Sequence, residues 1–392
     1  MIVFIAHPGL QHSHQLALAF YEKHYTVFYL SGTPTISNEI SYNIPLISKF
    51  LQRLKIVPID KKHKKNIYWP QILLKFSIFL NLNKFIKDID HRIFHLFDKV
   101  ISRKILKLKP DIVVAYENSA YYMFKTAKRI GAICILDAPS IHFEQANHDL
   151  NIKSVGYRKK IDFRKSEEIR MADLILTCSP LAAKTYIDAG VEPNKVKSVL
   201  LGTNLPKLKK SSSTFSPLKT VVFIYAGSII RRKSIAEMLS ATNMLIKDGL
   251  DFKIKFVGGG DSQLIEKIKI TQKTEYLGKL SQSKLFEQFE LSDCILLPSK
   301  FDSFGMVVAE AMACGTPAIV SATTGSKAII EKFPNAGWII QNDTQSIYSA
   351  MKECIINKLN LFERAEDAKI AGQYFSWQRY RNEVIQTVED SI

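Results

Sequence analysis

Cysteine is scarce and scattered: the 392 residues hold 5, at 134, 178, 294, 314 and 354, each alone inside an apolar stretch and none in a CxxC pair. An odd, dispersed set excludes a disulfide framework and a cysteine zinc site, and it fits a reducing cytoplasm. No metal is expected. Long hydrophobic runs are missing too. The longest candidates, such as ILLKFSIFL at 72–80, contain a lysine, so no membrane-spanning helix is predicted. MIVFIAHPG at the N-terminus has no basic lead and turns polar at His7, so it is expected to be a first strand rather than a signal peptide. No HExxH, Walker loop or Ser-His-Asp order occurs, which excludes zincins, P-loop NTPases and serine hydrolases.

Acid is the charge in short supply. The chain carries a formal net charge of +17, and from Lys49 to Lys109 there are 16 Lys and Arg against 4 Asp. Inside that basic region 49–109, Tyr68, Trp69, Phe76, Phe79 and Phe85 are interleaved with lysines. Three readings stay open: a solvated basic face, a segment lying on an anionic membrane surface, or a nucleic-acid contact. No nucleic-acid motif accompanies the charge, and the membrane surface is the favoured partner.

What is present is alternation. Apolar runs at 2–6, 26–30, 111–116, 133–138 and 173–179 read as strands separated by helical stretches. A polar segment, LPKLKKSSSTFSP at 205–217, reads as a linker, after which strands restart at 220–227, 252–260, 294–299 and 316–321. Helices are expected at 344–357 and 376–390. Strand-helix alternation means parallel sheets covered on both faces, and 392 residues suffice for two domains. The fold class is therefore α/β, with two doubly wound Rossmann-like domains: 1–204, and 218–373 after the linker. Ligands of such sheets bind beyond the carboxyl ends of the strands.

Most of the punctuation falls at those ends. FDSFGMVVAEAMACGTPAIVS (301–321) is an apolar run that keeps Asp302 and Glu310. MVVAEAMAC reads as a helix apolar on every face, so Glu310 is expected to be buried and to need either a basic partner or a ligand. Gly305 just before it allows close approach, and the first helix amides attract anions. Upstream, Gly227 and Ser228 lead into Arg231, Arg232 and Lys233, either a diphosphate cradle or a solvated turn. VGGGD (257–261) is either a phosphate-approaching turn or a plain one, and His142 is either a substrate-facing group or structural.

The order of these motifs resembles the retaining family 4 glycosyltransferases (group 1) of the GT-B fold. The run 277–321 is similar to their paired-acid frame, AGSIIRRKS (226–234) to their phosphate turn, and EEIRMADLILTCSP…VLLGTN (167–204) to their central segment. The resemblance is strong from about 165 to 325 and weak before 130. It implies two domains facing each other across a cleft. The last helix, 374–392, would cross back to the first domain, the acceptor-binding one.

The implied reaction moves a sugar from a nucleotide diphosphate sugar, UDP- or GDP-linked, to an acceptor with retention and without a metal or other cofactor. Glu310 would hold the ribose, and Asp302 would face the donor sugar. Backbone at Ser303, Phe304, Gly305 and Met306 would contact sugar or phosphate. Arg232 and Lys233 would neutralise the diphosphate beside Gly227 and Ser228. Lys279 and Leu280 would meet the base, Gly9 the phosphates and His142 the transferred sugar.

Two departures stand out: Asp302 is one methylene shorter than the family's glutamate, while Ser228 and Ser234 replace its usual arginine and glycine. With the basic region, the expected acceptor is a lipid-linked or surface-polysaccharide precursor, and the expected location is the cytoplasmic face of the plasma membrane. The alternatives are transfer to a soluble acceptor, or a degenerate transferase acting as a membrane or nucleic-acid adapter.

Overall fold

A computed structural model describes residues 1–36, 55–206 and 220–392. The chain divides into two compact units: residues 1–177, 182–199 and 380–392, and residues 178–181 and 200–379. The linker expected at 205–217 lies outside the described residues from 207 on, as do residues 49–54 of the basic region.

The first unit is built on a seven-stranded sheet in the order β5-β2-β1-β6-β7-β8-β9. Its strands are β1 (Ile2–His7), β2 (Thr26–Ser31), β5 (Lys64–Asn66), β6 (Ile112–Tyr116), β7 (Ile133–Ala138), β8 (Leu174–Thr177) and β9 (Val196–Ser198). A separate parallel pair, β3 (Thr35–Ile36) and β4 (Lys55–Ile56), stands apart from it. Every pairing in the large sheet is parallel. Val3, Phe4, Ile5 and Ala6 are wholly buried, as a strand covered on both faces requires. The helices are α1 (Ser13–Glu22), α2 (Trp69–Phe79), α3 (Ile89–Leu108), α4 (Tyr121–Arg129), α5 (Phe143–Asp149), α6 (Tyr157–Met171) and α7 (Pro180–Asp188).

Two buried acids fix the start of α4. Glu168 accepts from the amides of Asn118, Ala120 and Tyr121, and Asp98 from those of Tyr122 and Met123. Together they satisfy donors that a helix start leaves unpaired. Burial pushes the Glu168 carboxyl up to about 8 and the Asp98 carboxyl up to about 7, against the pull of those amides.

The second unit holds a six-stranded sheet, β12-β11-β10-β13-β14-β15. Its strands are β10 (Val221–Ala226), β11 (Phe252–Val257), β12 (Thr274–Gly278), β13 (Cys294–Leu297), β14 (Ala318–Ser321) and β15 (Gly337–Ile340). Its helices are α8 (Ile235–Lys247), α9 (Ser262–Ile270), α10 (Gln282–Glu290), α11 (Met306–Ala313), α12 (Lys327–Lys332), α13 (Thr344–Ile356) and α14 (Lys358–Tyr374). The last helix, α15 (Trp377–Glu389), joins the first unit from Tyr380 onward.

Both sheets are doubly wound. Strand order reverses between β1 and β6 in the first sheet and between β10 and β13 in the second. Those reversals open crevices at the strands' carboxyl ends, where such sheets take ligands.

Candidate functional site

In the second unit the reversal point brings two sequence motifs together. The turn after β10 supplies Gly227 to Lys233, and the loop after β13 supplies Lys300 to Gly305. Three contacts join them: the Lys300 amide donates to the Arg232 carbonyl at 2.9 Å, Arg232 Nη1 donates to the Phe301 carbonyl, and Lys233 Nζ pairs with Asp302 Oδ2. Lys233 is buried and Asp302 half-buried, while Arg231 is exposed. The Arg232 guanidinium also lies 5.2 Å from the Phe301 ring centroid. Beneath them the fully buried Tyr225 donates its hydroxyl to the Ser228 carbonyl at 2.7 Å. Burial and the Asp302 charge hold that phenol well above its ordinary range.

The loop is held from behind as well. Ser179 Oγ donates to the Ser303 carbonyl at 2.5 Å, and the Gly325 amide donates to the Asp302 carbonyl at 2.8 Å. The Asp302 amide donates to the Thr323 carbonyl at 3.3 Å. Asp302 is thus set by both its backbone and its lysine partner. Ser303 and Met306 are half-buried and the Phe304 side chain is buried, which leaves Phe304 its backbone to offer a ligand.

Gly305 caps α11 in the left-handed region, φ +79°, where a side chain is strained. A Cβ there would also meet Leu297 Cδ2 at 2.6 Å and Ser326 Oγ at 3.2 Å. The close approach expected of this glycine is therefore already made, to the protein's own Leu297 and Ser326.

The burial expected for Glu310 needs correcting. Val308, Ala309, Ala311, Met312 and Ala313 are buried, but Met306, Val307, Glu310 and Cys314 share a partly exposed side. An apolar composition hid this stripe, because methionine, valine and cysteine can face a crevice as well as a core. Gln282 Nε2 donates to Glu310 Oε1 at 3.3 Å.

The glycines of VGGGD have a structural reason. Cβ atoms at Gly258 and Gly260 would run into the carbonyl oxygens of Gly227 and Ile229. Amides bridge the same strip, Ile229 N to Gly259 O at 3.0 Å and Asp261 N to Ile229 O at 2.8 Å. This turn braces the 227–233 turn from the side. Lys279 is exposed at the end of β12, with its stem packed over Gly259, and Leu280 beside it is half-buried. Ser234, where the related pattern has glycine, sits in the left-handed region at φ +55° with a buried hydroxyl that has no hydrogen-bond partner among the described residues. That conformation explains why glycine is the natural residue there.

In the first unit, His142 caps α5: its Nδ1 accepts from the Glu144 amide at 3.4 Å, while its own amide donates to Thr185 Oγ1 at 2.9 Å. Burial lowers its pKa, so the ring is neutral with the proton on Nε2, a donor. Gly9 is packed by Gln71 and His7, and its amide donates to His7 Nδ1 at 2.7 Å, so this N–H is already engaged. Burial drops the His7 pKa to about 4.

Sequence reasoning missed two clusters here. Glu117 pairs with Lys165 at 2.7 Å and accepts from Ser140, near His142. His12 Nε2 meets Asp137 Oδ2 at 2.8 Å, both buried. A polar residue at or just past the carboxyl end of an apolar strand, as in DIVVAYEN and ICILDA, is the signal that points to Glu117 and Asp137.

Comparison with known proteins bears on the same residues. Residues 207–373 match the family described as Glycosyl transferases group 1. The D-inositol 3-phosphate glycosyltransferase of Rhodococcus erythropolis is 26% identical over 209 residues, 48% of this chain and 47% of that protein. The chain thus spans about half the length of the curated relatives it matches. Among solved structures, sucrose-phosphate synthase of Thermosynechococcus elongatus superposes with a TM-score of 0.68 at 15% identity, covering 100% of this chain and 98% of that one. Anabaena HepE, solved in complex with UDP, gives 0.64 at 15% identity, covering 99% of each chain. At such identities the structures speak to the fold, and the matched segment speaks to the family. Over residues 207–373, the chain is similar to the glycosyl transferases group 1.

Proposed function

We propose that the protein is a retaining glycosyltransferase that moves a sugar from a nucleotide diphosphate sugar to a lipid-linked or surface-polysaccharide precursor, working peripherally at the cytoplasmic membrane face. The observation that carries this is the joining of Lys233 and Asp302 at the strand reversal of the unit that matches the family. UDP in the similarly folded HepE supports a nucleotide-linked donor.

Breaking the sugar–phosphate bond builds negative charge on the leaving diphosphate. Lys233, the guanidinium of Arg232 and the first amides of α11 are suited to absorb it without a metal, near Gly227 and Ser228. Asp302 orients Lys233 and faces the donor sugar, and Glu310, steadied by Gln282, takes the ribose hydroxyls. Lys279 and Leu280 offer backbone to the base. In the first unit, Gly9 after β1 is suited to a phosphate and His142 after β7 to a sugar hydroxyl, with its Nε2 as donor. The acceptor oxygen attacks the anomeric carbon on the face the diphosphate leaves, and the acceptor's proton passes to the departing phosphate oxygen.

The test is incubation with UDP- and GDP-sugars and both lipid-linked and soluble acceptors, reading released nucleotide diphosphate. Release by the wild type that Glu310→Ala abolishes is expected. Silence across the panel, with no donor binding by calorimetry, refutes the proposal.

A further inference from the structure

The helix α2 is built inside out. Its buried positions are Pro70 and Ser77, while Ile72 is 62% exposed, Phe76 55%, Ile78 65% and Phe79 80%. Ile72, Phe76 and Phe79 are spaced four and three apart, so they share one face. Just beyond, Phe85 is 82% exposed. A helix facing water carries its apolar residues inward; here the fully buried positions go to a proline and a serine, with Trp69 and Leu74 only half-buried beside them. A contiguous apolar surface of this kind marks a contact with something other than water.

The surrounding charge says what. From Lys61 to Lys87 there are 7 lysines and no acid. Lys75, Lys84 and Lys87, within and after α2, are exposed. With 11 residues at ~1.5 Å each, α2 is about half the length needed to cross a bilayer's hydrocarbon core. An apolar face on a short helix rimmed by lysines is suited to lie in the plane of an anionic interface, with aromatic rings among the acyl chains and ammonium groups at the lipid phosphates.

We infer that α2 and the turn after it, up to Phe85, form the element that inserts into an anionic lipid surface. This rests on the membrane-face reading above and names its contact: an apolar insertion, not the lysine-rich strand β5 alone. The helix is also tied to the candidate site. Gln71, in its first turn, donates from Nε2 to the Pro8 carbonyl at 2.9 Å, beside Gly9. Insertion therefore holds the Pro8–Gly9 turn next to the lipid headgroups, where a lipid-linked acceptor presents its sugar or phosphate without leaving the bilayer.

The test is co-sedimentation with phosphatidylglycerol/phosphatidylcholine vesicles and with phosphatidylcholine vesicles alone. It compares the full chain with Phe76→Ser/Phe79→Ser/Phe85→Ser and with Lys75→Gln/Lys84→Gln/Lys87→Gln. The wild type is expected to bind the anionic vesicles. Removing the rings should weaken partitioning on the order of a hundredfold or more, and removing the lysines also on the order of a hundredfold, with unfolding temperature unchanged. Wild-type binding to neither vesicle, or full binding by the phenylalanine variant, overturns the inference. So does a dimer in solution that the phenylalanine variant dissociates, which makes the face a contact between two copies. A large drop in that variant's unfolding temperature likewise overturns it, since the face would then be packed within the folded chain. Stabilisation by UDP or GDP is measured in parallel: it reports on the donor site and is independent of the vesicle result.

Discussion

Replacing Gly305 by alanine separates two costs that glycine avoids. The residue sits at φ +79°, and a Cβ would come within 2.6 Å of the buried Leu297 side chain. The left-handed conformation alone costs about 1–2 kcal/mol, and moving a packed leucine adds about 1–3 kcal/mol. Gly315 is the internal control. Its φ is +78°, nearly the same, but the nearest atom to its Cβ is 3.6 Å away, ordinary contact. Gly315→Ala should therefore cost about 1–2 kcal/mol, and Gly305→Ala about 2–5 kcal/mol. At roughly 2–4 °C per kcal/mol for a unit of this size, thermal unfolding should shift about twice as far for Gly305→Ala. Equal shifts would show that Leu297 and Ser326 do not crowd the helix start, and the account of α11's cap would fail.

Lys233→Met leaves the half-buried Asp302 without its cation, so stability should fall by about 1–3 kcal/mol. Adding Asp302→Asn should restore part of the loss in urea titrations, while kcat/KM in both variants falls about 100- to 1000-fold; full additivity would deny the pair. Glu168 has a pH signature. Its folded pKa of about 8 lies above the ordinary carboxyl range, so the folded state holds this proton more tightly than the unfolded one. Stability from this group is full below about pH 4 and is lost as pH rises through about 8. Glu168→Gln should flatten the slope of the urea midpoint between about pH 5 and 8; an unchanged slope places the titration elsewhere.

The strands that composition revealed are the central ones. Ile2–His7, Val221–Ala226 and Cys294–Leu297 are buried along nearly their whole length and so read as continuous apolar runs. The edge strands Lys64–Asn66 and Thr274–Gly278 stayed hidden because one is polar throughout and the other half-exposed. Strand β15 begins at a glycine, and α14 has too few apolar residues in step to show a face. In the candidate site, what lies within one turn or one helix was legible: Arg231 to Lys233, and Asp302 to Glu310. What depends on pairing across the fold was not. Lys233 meets Asp302 from 69 residues away, and Glu117, in the turn after β6, meets Lys165 on α6. The solvent-facing aromatics of α2 were visible as a composition but not as an orientation. Period alone does not say which face is turned inward when proline and serine occupy the buried side.

Nucleotide binding tests the central claim most directly. In a thermal-shift screen with UDP, GDP and ADP, one nucleotide at about 100 times its dissociation constant should stabilise the protein by about 2.7 kcal/mol. The same concentration should shift Glu310→Ala and Lys233→Met far less. If no nucleotide shifts the wild type at millimolar concentration, or if both variants respond as it does, the crevice between the β10 turn and the β13 loop is not a nucleotide-sugar site.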